Sequence, residues 1–290
     1  MIEIEQLAVL DLCAWTGSQL EAARILSFNQ ISISRNLYKA KAVLGSVGIE
    51  CLGGDKYSFE DSCQILKAQR KIHQQIRFDQ TKCLRIHANC WVRHLLLEPP
   101  PEGWIPNQAA IKKFRHCDAI ELLDKHVIDA ALVANPEAPL DCDSRYHRYP
   151  ISNQPLFLLV STCNALASET GLSLAEVSST TELGHSSFVS KECRRVMERL
   201  DSHLFGAQDP RYFHSQKEPP PTTRRYGTAM TMLIRPDLVK INAKMDFLAG
   251  DILVVKKELA DHPEILKLIA QLRNRLQALQ NKINKLEILC

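Results

Sequence analysis

Several patterns that would assign this chain to a class of enzyme or membrane protein are missing from its sequence. No stretch reaches the roughly 18 consecutive apolar residues that a membrane-spanning helix needs. There is no Gly-x-Ser-x-Gly, no His-Glu-x-x-His and no glycine-rich phosphate loop, and Gly53-Gly54 fits a turn better than a nucleotide site. We therefore predict no catalytic residue, no cofactor and no enzyme activity.

The first residues lack the composition of a signal peptide. They read MIEIEQ and are acidic where a signal peptide is basic. A cytoplasmic protein without a membrane partner is therefore expected. The net charge of +3 over 290 residues is too small to indicate a nucleic-acid partner by itself.

The ten cysteines have neither zinc-site spacing nor a Cys-x-x-Cys pair. In a cytoplasmic protein we expect them to be reduced and mostly buried. Cys90 and Cys142, in or near predicted loops, are the candidates for a redox switch. His116, Cys117 and Asp118 are adjacent in sequence, and three adjacent side chains rarely converge on one ion. No metal site is predicted.

Residues 18 to 44 carry the strongest positive signal, a helix, a tight turn and a second helix. Ser18 with Glu21 three residues later is a capping box, which predicts a helix to about Leu26. Asn29 is a favourable N-cap for the next helix. The predicted apolar positions of that second helix are Ile31, Ile33, Leu37, Ala40 and Leu44. No acid occurs between Glu21 and Glu50, so the second helix suits insertion into a DNA major groove.

The order and spacing of these residues resemble the LysR-type transcriptional regulators. That family opens with a leucine-rich helix, Gly-Ser, Ala-Ala, Leu, Gln-Pro-Ala-Val-Ser-Arg and Leu-Gly. The matching residues here are Leu7, Leu10, Gly17-Ser18, Ala22-Ala23, Leu26, Gln30 to Arg35 and Leu44-Gly45. The resemblance implies a winged helix-turn-helix DNA-binding domain at residues 1–60, with double-stranded DNA as partner.

The segment expected to form the wing departs from the family. Two arginines usually follow the Leu-Gly step, whereas this chain reads Gly48-Ile49, Cys51 and Gly54 there. Lys56 is the cation left to hold phosphate. Residues 1 to 80 carry nine basic and nine acidic residues, which predicts weak salt-dependent affinity per subunit. Oligomerisation would compensate for this, or DNA binding has decayed.

We predict that a small set of polar side chains contacts DNA. Gln30, Ser34 and Arg35 are expected near the groove, because Gln pairs with adenine and Arg with guanine. Asn29 caps the helix. The predicted phosphate contacts are Lys39, Lys41 and Lys56. For each, a solvated surface side chain is the alternative.

Residues 61–81 are predicted to form a linker helix. The segment from Glu60 to Gln80 has neither Gly nor Pro, and its apolar positions are Ile65, Leu66, Ile72 and Ile76. In the resembled family this helix pairs two subunits. The alternative is a helix that packs only on its own domain.

Residues 82–290 are predicted to form an effector-binding domain. Strand and helix patterns alternate from Leu84 to Asn135, which indicates a parallel sheet covered by helices. Leu84-Arg85-Ile86 and Ile128 to Leu132 match the opening of the family's effector half. The resemblance implies a two-lobed periplasmic-binding-protein-like α/β fold. Lobe 1 would comprise about 82–148 plus 250–275, and lobe 2 about 149–249.

Within this domain, residues 99–107 are predicted to be a loop, and TTRRYGTAMTMLI (222–234) is predicted to be a helix.

The same resemblance places a small-molecule effector, of unknown identity, in the cleft between the lobes. The turn after the first effector strand holds Asn89, Cys90 and Trp91, where helix amides bind anions. Asn135 would face the same cleft, and Ser186 and Ser187 are weaker candidates. Alternatively, Trp91 fills the cleft, or each residue is ordinary loop structure.

The C-terminal residues repeat with a heptad spacing. Seven apolar residues step by four and three: Ile265, Ile269, Leu272, Leu276, Leu279, Ile283 and Leu286. This predicts a heptad helix over 263–288 whose second half meets a partner helix. An ordinary terminal helix packed on its own sheet is the alternative.

Taken together, the sequence predicts an α/β multi-domain protein that regulates transcription in the manner of the LysR type, as a homo-oligomer (dimer or tetramer). The alternative is a divergent ligand-binding module or oligomeric scaffold of the same fold that does not bind DNA. An enzyme on this scaffold would require a cleft with convergent titratable groups.

Overall fold

A computed structural model describes most of the chain. The described residues are 2–44, 50–51, 57–58, 64–80, 83–88, 90–107, 119–139, 141–173, 175–177, 181–185, 191–205, 212–214, 222–243, 245–283 and 286–289. The segments IKKFR (111–115) and SSFVS (186–190), whose sequences predict strands, lie outside them.

Helices and strands alternate along most of the described chain. The helices are α1 (Ile4–Thr16), α2 (Gln19–Leu26), α3 (Gln30–Leu44), α4 (Gln64–Asp79), α5 (Cys90–Leu96), α6 (Ala119–Asp124), α7 (Lys191–Phe205), α8 (Ala229–Ile234) and α9 (Pro263–Gln280). The strands are β1 (Glu50–Cys51), β2 (Tyr57–Ser58), β3 (Leu84–Ala88), β4 (Trp104–Pro106), β5 (Ala130–Ala134), β6 (Tyr146–Pro155), β7 (Phe157–Ser161), β8 (Glu182–His185), β9 (Tyr212–His214), β10 (Thr223–Gly227), β11 (Leu238–Lys240), β12 (Leu248–Lys256) and β13 (Glu287–Ile288). The mixed α/β class predicted from the sequence is therefore confirmed.

The strands form one hairpin and two larger sheets. The hairpin pairs β1 with β2 antiparallel, as expected for a wing. One larger sheet has the order β13-β6-β12-β5-β3-β4, in which β3 and β4 are parallel. The other has the order β11-β7-β10-β8-β9, with parallel pairs at β8–β9 and β8–β10 and antiparallel pairs at β7.

The chain divides into two compact units. The first comprises Met1–Ala88, Pro100–Ala131 and Val255–Ile265. The second comprises Asn89–Pro99, Leu132–Val254 and Leu266–Cys290. The predicted boundaries at residues 60 and 82 stay a prediction. The first unit thus contains both the helix-turn-helix segment and the first strand of the predicted effector half.

Helix α1 forms the centre of the first unit. It packs against α2 and α3, and Leu10, Leu12 and Trp15 are almost completely buried. Every residue of α1 from Gln6 to Thr16 is buried. A helix that is covered on all sides needs partners beyond α2 and α3. The side chains of α4 and β3 supply them, as described below.

The second unit has its own hydrophobic core around β7, β8 and β10. Leu158, Val160, Leu183 and Tyr226 are buried there, and Met197 and Leu200 of α7 pack against them. Within the described ranges, no helix is long and apolar enough to cross a membrane.

The prediction of a single helix over 222–234 is wrong. Residues 223–227 form β10, and the helix α8 starts only at Ala229. Arg224 lies in this strand and is buried against Asp201 of α7, a long-range contact that local helix propensity does not reflect. The predicted loop at 99–107 likewise contains a short strand, β4, paired with β3.

The C-terminal prediction is wrong in its second half. Helix α9 ends at Gln280, and residues 287–288 form β13, which pairs antiparallel with β6. Leu276, Ile283 and Leu286 are buried within the chain itself. The heptad spacing therefore reflects packing within the chain itself, and the described C-terminal residues expose no continuous heptad stripe to a partner helix.

Candidate nucleic-acid interface

The helix-turn-helix is closed by hydrogen bonds that its sequence predicts. The Glu21 amide donates to Ser18 Oγ (3.3 Å) at the start of α2. Helix α2 ends at Ser27, whose left-handed φ of 55° turns the chain, and the Phe28 amide donates to the Ala23 carbonyl (2.9 Å). The Ser32 amide then donates to Asn29 Oδ1 (2.8 Å), which starts α3. The N-caps Ser18 and Asn29 are confirmed, but the capping box at Ser18 is not reciprocal, because the Glu21 carboxylate pairs with Arg24 and the Ser18 amide donates to Thr16 Oγ1.

Helix α3 has one buried and one exposed face. Ile33, Leu37 and Ala40 are buried, and α3 packs on α1 and α2 through this side. The predicted DNA contacts Gln30, Ser34, Arg35 and Lys39 are exposed, whereas Lys41 is half-buried. This face contains no acid. Lys56 lies outside the described residues.

Two large apolar side chains share this exposed face, and the sequence reasoning missed both. Ile31 is 64% exposed, although it was predicted to be a core position, and Tyr38 is 76% exposed. Together with Arg35 and Ala42 they step by four, three and four residues, which is the spacing of one helical face. That second seam, opposite Ile33 and Leu37, is the signal that could have identified them. Apolar groups at such positions can contact thymine methyl groups.

Helix α2 adds one exposed ion pair beside this face. Arg24 Nη2 lies 2.8 Å from Glu21 Oε1, and both side chains reach solvent. The pair is screened by water and salt, so it contributes little to stability. Arg24 is therefore a suitable site for control substitutions in the helix-turn-helix.

A buried network of charged side chains surrounds α1 and α4. Arg70 Nε of α4 donates to Asp11 Oδ1 of α1 (2.8 Å). Seven residues further along α4, Arg77 donates to Asp129 through Nη2 (2.6 Å) and Nε (3.0 Å). Asp129 also accepts the backbone amide of Arg85 (2.8 Å). These contacts hold α4 with a polar face inward, since Arg70, His73, Gln74 and Arg77 are all buried.

The network keeps two histidines neutral. Burial, together with the positive charges of Arg85 and Arg77, lowers the pKa of His73 to about 3. Burial, with Lys256 as the next cause, lowers the pKa of His126 to about 4, and His126 Nδ1 lies 2.7 Å from Gln74 Oε1. Burial also lowers the pKa of Arg85 to about 10.

Helix α4 exposes apolar residues on its other side. Ile65 and Ile72 are 67% and 57% exposed, and Ile76 is half-buried. Leu66, which was predicted in the same seam, is buried on the opposite face. The predicted seam is therefore split between two faces. Ile65, Gln69, Ile72 and Ile76 step by four, three and four, which is the spacing of a helix-pairing stripe.

Of the six predicted effector contacts, only Asn135 has its side chain within the described structure. Asn89, Ser186 and Ser187 lie outside the described residues, and Cys90 and Trp91 form the first turn of α5, where the backbone alone is described. Asn135 begins a short 3₁₀ turn directly after β5, and its Oδ1 accepts a hydrogen bond from Arg148 Nη2 (3.3 Å). All six effector-binding assignments, that of Asn135 included, stay predictions.

Sequence reasoning also missed a buried carboxyl group on β12. Ser152 Oγ donates to Asp251 Oδ2 (2.5 Å), and both residues are buried. Burial raises the pKa of Asp251 to about 6, the Ser152 hydrogen bond lowers it, and the charge of Glu137 raises it. An aspartate directly before the apolar run ILVV was the available signal.

Only some of the residues considered for redox or metal chemistry lie within the described part of the chain. Cys142 is exposed in a turn, Cys83 and Cys163 are exposed as well, and Cys13 is buried. His116, Cys117 and Asp118 lie outside the described residues. Where the structure is described, no three His, Cys, Asp or Glu side chains are grouped so that they could hold a metal.

Sequence comparison and structural comparison give different results. No model of a known protein family matches the chain, and no curated protein sequence matches it. Its structure is similar to a single-residue variant of full-length OxyR from Pseudomonas aeruginosa, with a TM-score of 0.55 and 11% identity over 94% of this chain and 95% of that chain. It is similar to the probable transcriptional regulator PA0477 from Pseudomonas aeruginosa, with a TM-score of 0.54 and 13% identity over 94% and 96%.

A third similar structure is the regulatory domain of MetR from Neisseria meningitidis, described as a LysR family regulator. Its TM-score is 0.51 and its identity 16%, over 71% of this chain and 98% of that domain. The three similarities confirm, at the level of the fold, the resemblance predicted from residues 7 to 45.

Proposed function

We propose that this chain, which has the fold of the LysR-type regulators, is a DNA-binding transcriptional regulator with a small-molecule effector domain. The observation that carries the proposal is the exposed, acid-free face of α3. Its inner face is fixed by Ile33 and Leu37 against α1 and α2, so the outer face is presented as a rigid surface. Rigid presentation of polar and cationic side chains is what groove recognition requires.

DNA binding by this protein would depend on two subunits acting together. With nine basic and nine acidic residues in the first 80, a single domain has weak phosphate attraction. Joining two such domains converts the second contact into an intramolecular one and raises the affinity without new contacts. The stripe of exposed Ile65 and Ile72 with half-buried Ile76 on α4 supports pairing of two copies through this helix.

Effector binding would change how the paired domains are arranged. A ligand can do so only if it binds two assembly states with different affinity. We assign this role to the residues that follow β3 and β5, among them Asn89 and Asn135. Support for it comes from the fold and from the position of Asn135 after β5.

The test is a salt titration of the full-length protein on genomic DNA fragments. We compare the wild type with the double variant Gln30→Ala, Arg35→Ala. The matched control is Gln277→Ala, Arg195→Ala, which removes the same two residue types from exposed positions elsewhere. Binding to a few fragments that is lost in the first variant and kept in the control supports the regulator.

A second candidate is a ligand-binding or scaffold protein of the same fold that does not bind DNA. The neutral charge balance of residues 1 to 80 and the apolar side chains Ile31 and Tyr38 on the exposed face favour it. Equal and feeble binding of all three proteins at physiological salt would support this candidate and contradict the regulator.

A further inference from the structure

Two side-chain contacts join the first helix of the proposed DNA-binding region to the first strand of the proposed effector half. Asp11 and Trp15 are four residues apart and share one face of α1, and Arg85 and His87 are two residues apart and share one face of β3. Trp15 Nε1 donates to His87 Nδ1 (3.3 Å), and Arg85 Nη1 lies 3.9 Å from Asp11 Oδ2.

We propose that Arg85 and Asp11 are positioning residues that attach the DNA-binding helices directly to β3, so that a change at β3 reaches α3 through α1 and not only through the linker helix α4. The functional part of this statement rests on the proposed DNA binding. The mechanical part concerns the chain alone and can be tested without DNA.

The effector half holds Arg85 independently of Asp11. Its Nη1 donates to the Val127 carbonyl (2.9 Å), and its backbone amide donates to Asp129 Oδ2 (2.8 Å). Asp129 is in turn held by Arg77. The effector half therefore fixes the position of the Arg85 guanidinium without any contribution from α1.

Asp11 depends on this guanidinium. The side chain of Asp11 is completely buried, and its Oδ1 is occupied by Arg70. Its Oδ2 has no hydrogen-bond partner within the described structure, and the nearby cationic group there is Arg85. Arg70 still neutralises Asp11 when Arg85 is removed, so the loss falls on Oδ2, whose nearby cation disappears. A charge interaction inside the protein is screened less than one at the surface. Loss of Arg85 should therefore act on α1.

The path from α1 to the exposed face of α3 is short. Helix α1 packs against both α2 and α3, and Ile33 and Leu37 of α3 are buried in this packing. A shift of α1 by β3 must therefore move α3 with it, because a closely packed core transmits displacement.

The experiment is hydrogen exchange measured by mass spectrometry on the full-length protein. In Arg85→Met we expect the amides of α1 to exchange about tenfold faster, because Asp11 Oδ2 loses its nearby cation while Arg70 remains at Oδ1. Arg85→Lys keeps the charge and should restore most of the protection. Trp15→Phe, which removes the indole donor, should change the exchange of α1 in the same direction by about tenfold, the worth of one hydrogen bond.

The controls separate attachment from general destabilisation. Arg24→Met removes an arginine from the exposed pair with Glu21 and should leave α1 unchanged. The proposal expects peptides from α1 to α3 to lose protection while β5 keeps it. Unchanged exchange of α1 in Arg85→Met, or loss at β5 as large as that at α1, would overturn the proposal.

DNA binding is measured in parallel on the same proteins. If the wild type binds DNA, Arg85→Met should keep binding to a single half-site and lose its preference for one half-site spacing. If no protein binds DNA, the proposed function fails, and the exchange data still decide whether α1 is attached to β3.

Discussion

Arg224 and Asp201 form a doubly hydrogen-bonded ion pair between β10 and α7. Arg224 Nε and Nη2 donate to the two carboxylate oxygens at 3.1 and 2.7 Å, and both side chains are buried. Tyr226 Oη donates to the same carboxylate (3.0 Å), and the Arg224 guanidinium lies over the Phe205 ring. The pair thus fixes α7 on its sheet.

Substitution Arg224→Met should strongly destabilise the second unit. Asp201 would remain buried without its counter-charge, and breaking a buried pair in this way costs about 3–5 kcal/mol. Urea unfolding followed by circular dichroism measures the change. The control Arg235→Met breaks the exposed pair with Asp237 and should cost no more than about 1 kcal/mol. Similar values for the two variants would contradict the assignment.

The Arg224 pair also explains which parts of the fold were predictable from sequence. Ser18 and Asn29 cap helices through amides three residues away, so a short segment contains the whole determinant. The partner of Arg224 lies 23 residues earlier in the chain, and nothing local in TTRRYG indicates it. The heptad of α9 was similarly ambiguous, because apolar residues at this spacing suit both a partner helix and the protein's own sheet.

The candidate site shows the same division. The exposure of Gln30, Ser34 and Arg35 was predictable, because the polar residues of one helix face can be read from the sequence. Asp11 was not found, because its partners Arg70 and Arg85 lie on two distant elements. A charged residue between Leu10 and Leu12 indicates a buried charge, but the sequence alone does not say what neutralises it.

Substitution Asp251→Asn should stabilise the protein at neutral pH. The folded-state pKa of Asp251 is raised to about 6, above its value in the unfolded chain, so ionisation disfavours the folded state. The contribution of the Asp251 carboxyl group to the free energy of unfolding therefore decreases as the pH rises from about 4 to about 6. At pH 7.5 we expect Asn to add on the order of 2–3 kcal/mol, measured by urea unfolding.

Ser152→Ala is the matched test of this interpretation. The Ser152 hydrogen bond lowers the pKa of Asp251, so its removal should move the pH-dependent loss of stability to higher pH. No change in the pH profile of either variant would show that Asp251 does not titrate in this range.

Acid should destabilise the first unit through two histidines. Burial lowers the pKa of His73 to about 3 and that of His126 to about 4, below the usual 6.5, so the folded state favours their neutral forms. The two histidines therefore make their full contribution to the free energy of unfolding above pH 6.5. Below that pH the contribution of each falls by about 1.4 kcal/mol per pH unit, until the pH reaches its pKa in the folded protein. Unfolding of the double variant His73→Gln, His126→Gln should show a smaller decrease between pH 6.5 and 5 than the wild type.

The sign of this effect is opposite to that of Asp251, so each variant is compared with the wild type over the whole range. A double histidine variant with the same slope as the wild type would assign the acid sensitivity to other groups.

Substitution Asn29→Ala should weaken the start of α3. The Asn29 Oδ1 accepts the Ser32 amide at 2.8 Å, and loss of such a cap costs about 1 kcal/mol. Asn29→Asp keeps an acceptor and should retain the stability. Thermal unfolding measures both variants. If both variants lose the same amount of stability, the loss in Asn29→Ala does not come from the side-chain cap.

The two apolar stripes of the chain should respond to substitution in opposite ways. Ile72 on α4 is exposed and has the spacing of a pairing stripe, whereas Leu276 on α9 is fully buried within the chain. We expect Ile72→Glu to shift the sedimentation coefficient toward that of a smaller assembly with little change in unfolding, because a charge on each paired helix repels its counterpart. We expect Leu276→Ala to cost about 2–5 kcal/mol of stability through the cavity that it leaves, without changing the assembly.

Analytical ultracentrifugation and urea unfolding of both variants distinguish these outcomes. Lys71→Glu, at the neighbouring exposed position of α4, is the control for the added negative charge. A smaller assembly in Leu276→Ala with unchanged stability would instead place a subunit contact on α9, as the heptad spacing first suggested. A smaller assembly in Ile72→Glu alone would assign the contact to α4, the helix that also holds Asp11 and Asp129 through Arg70 and Arg77.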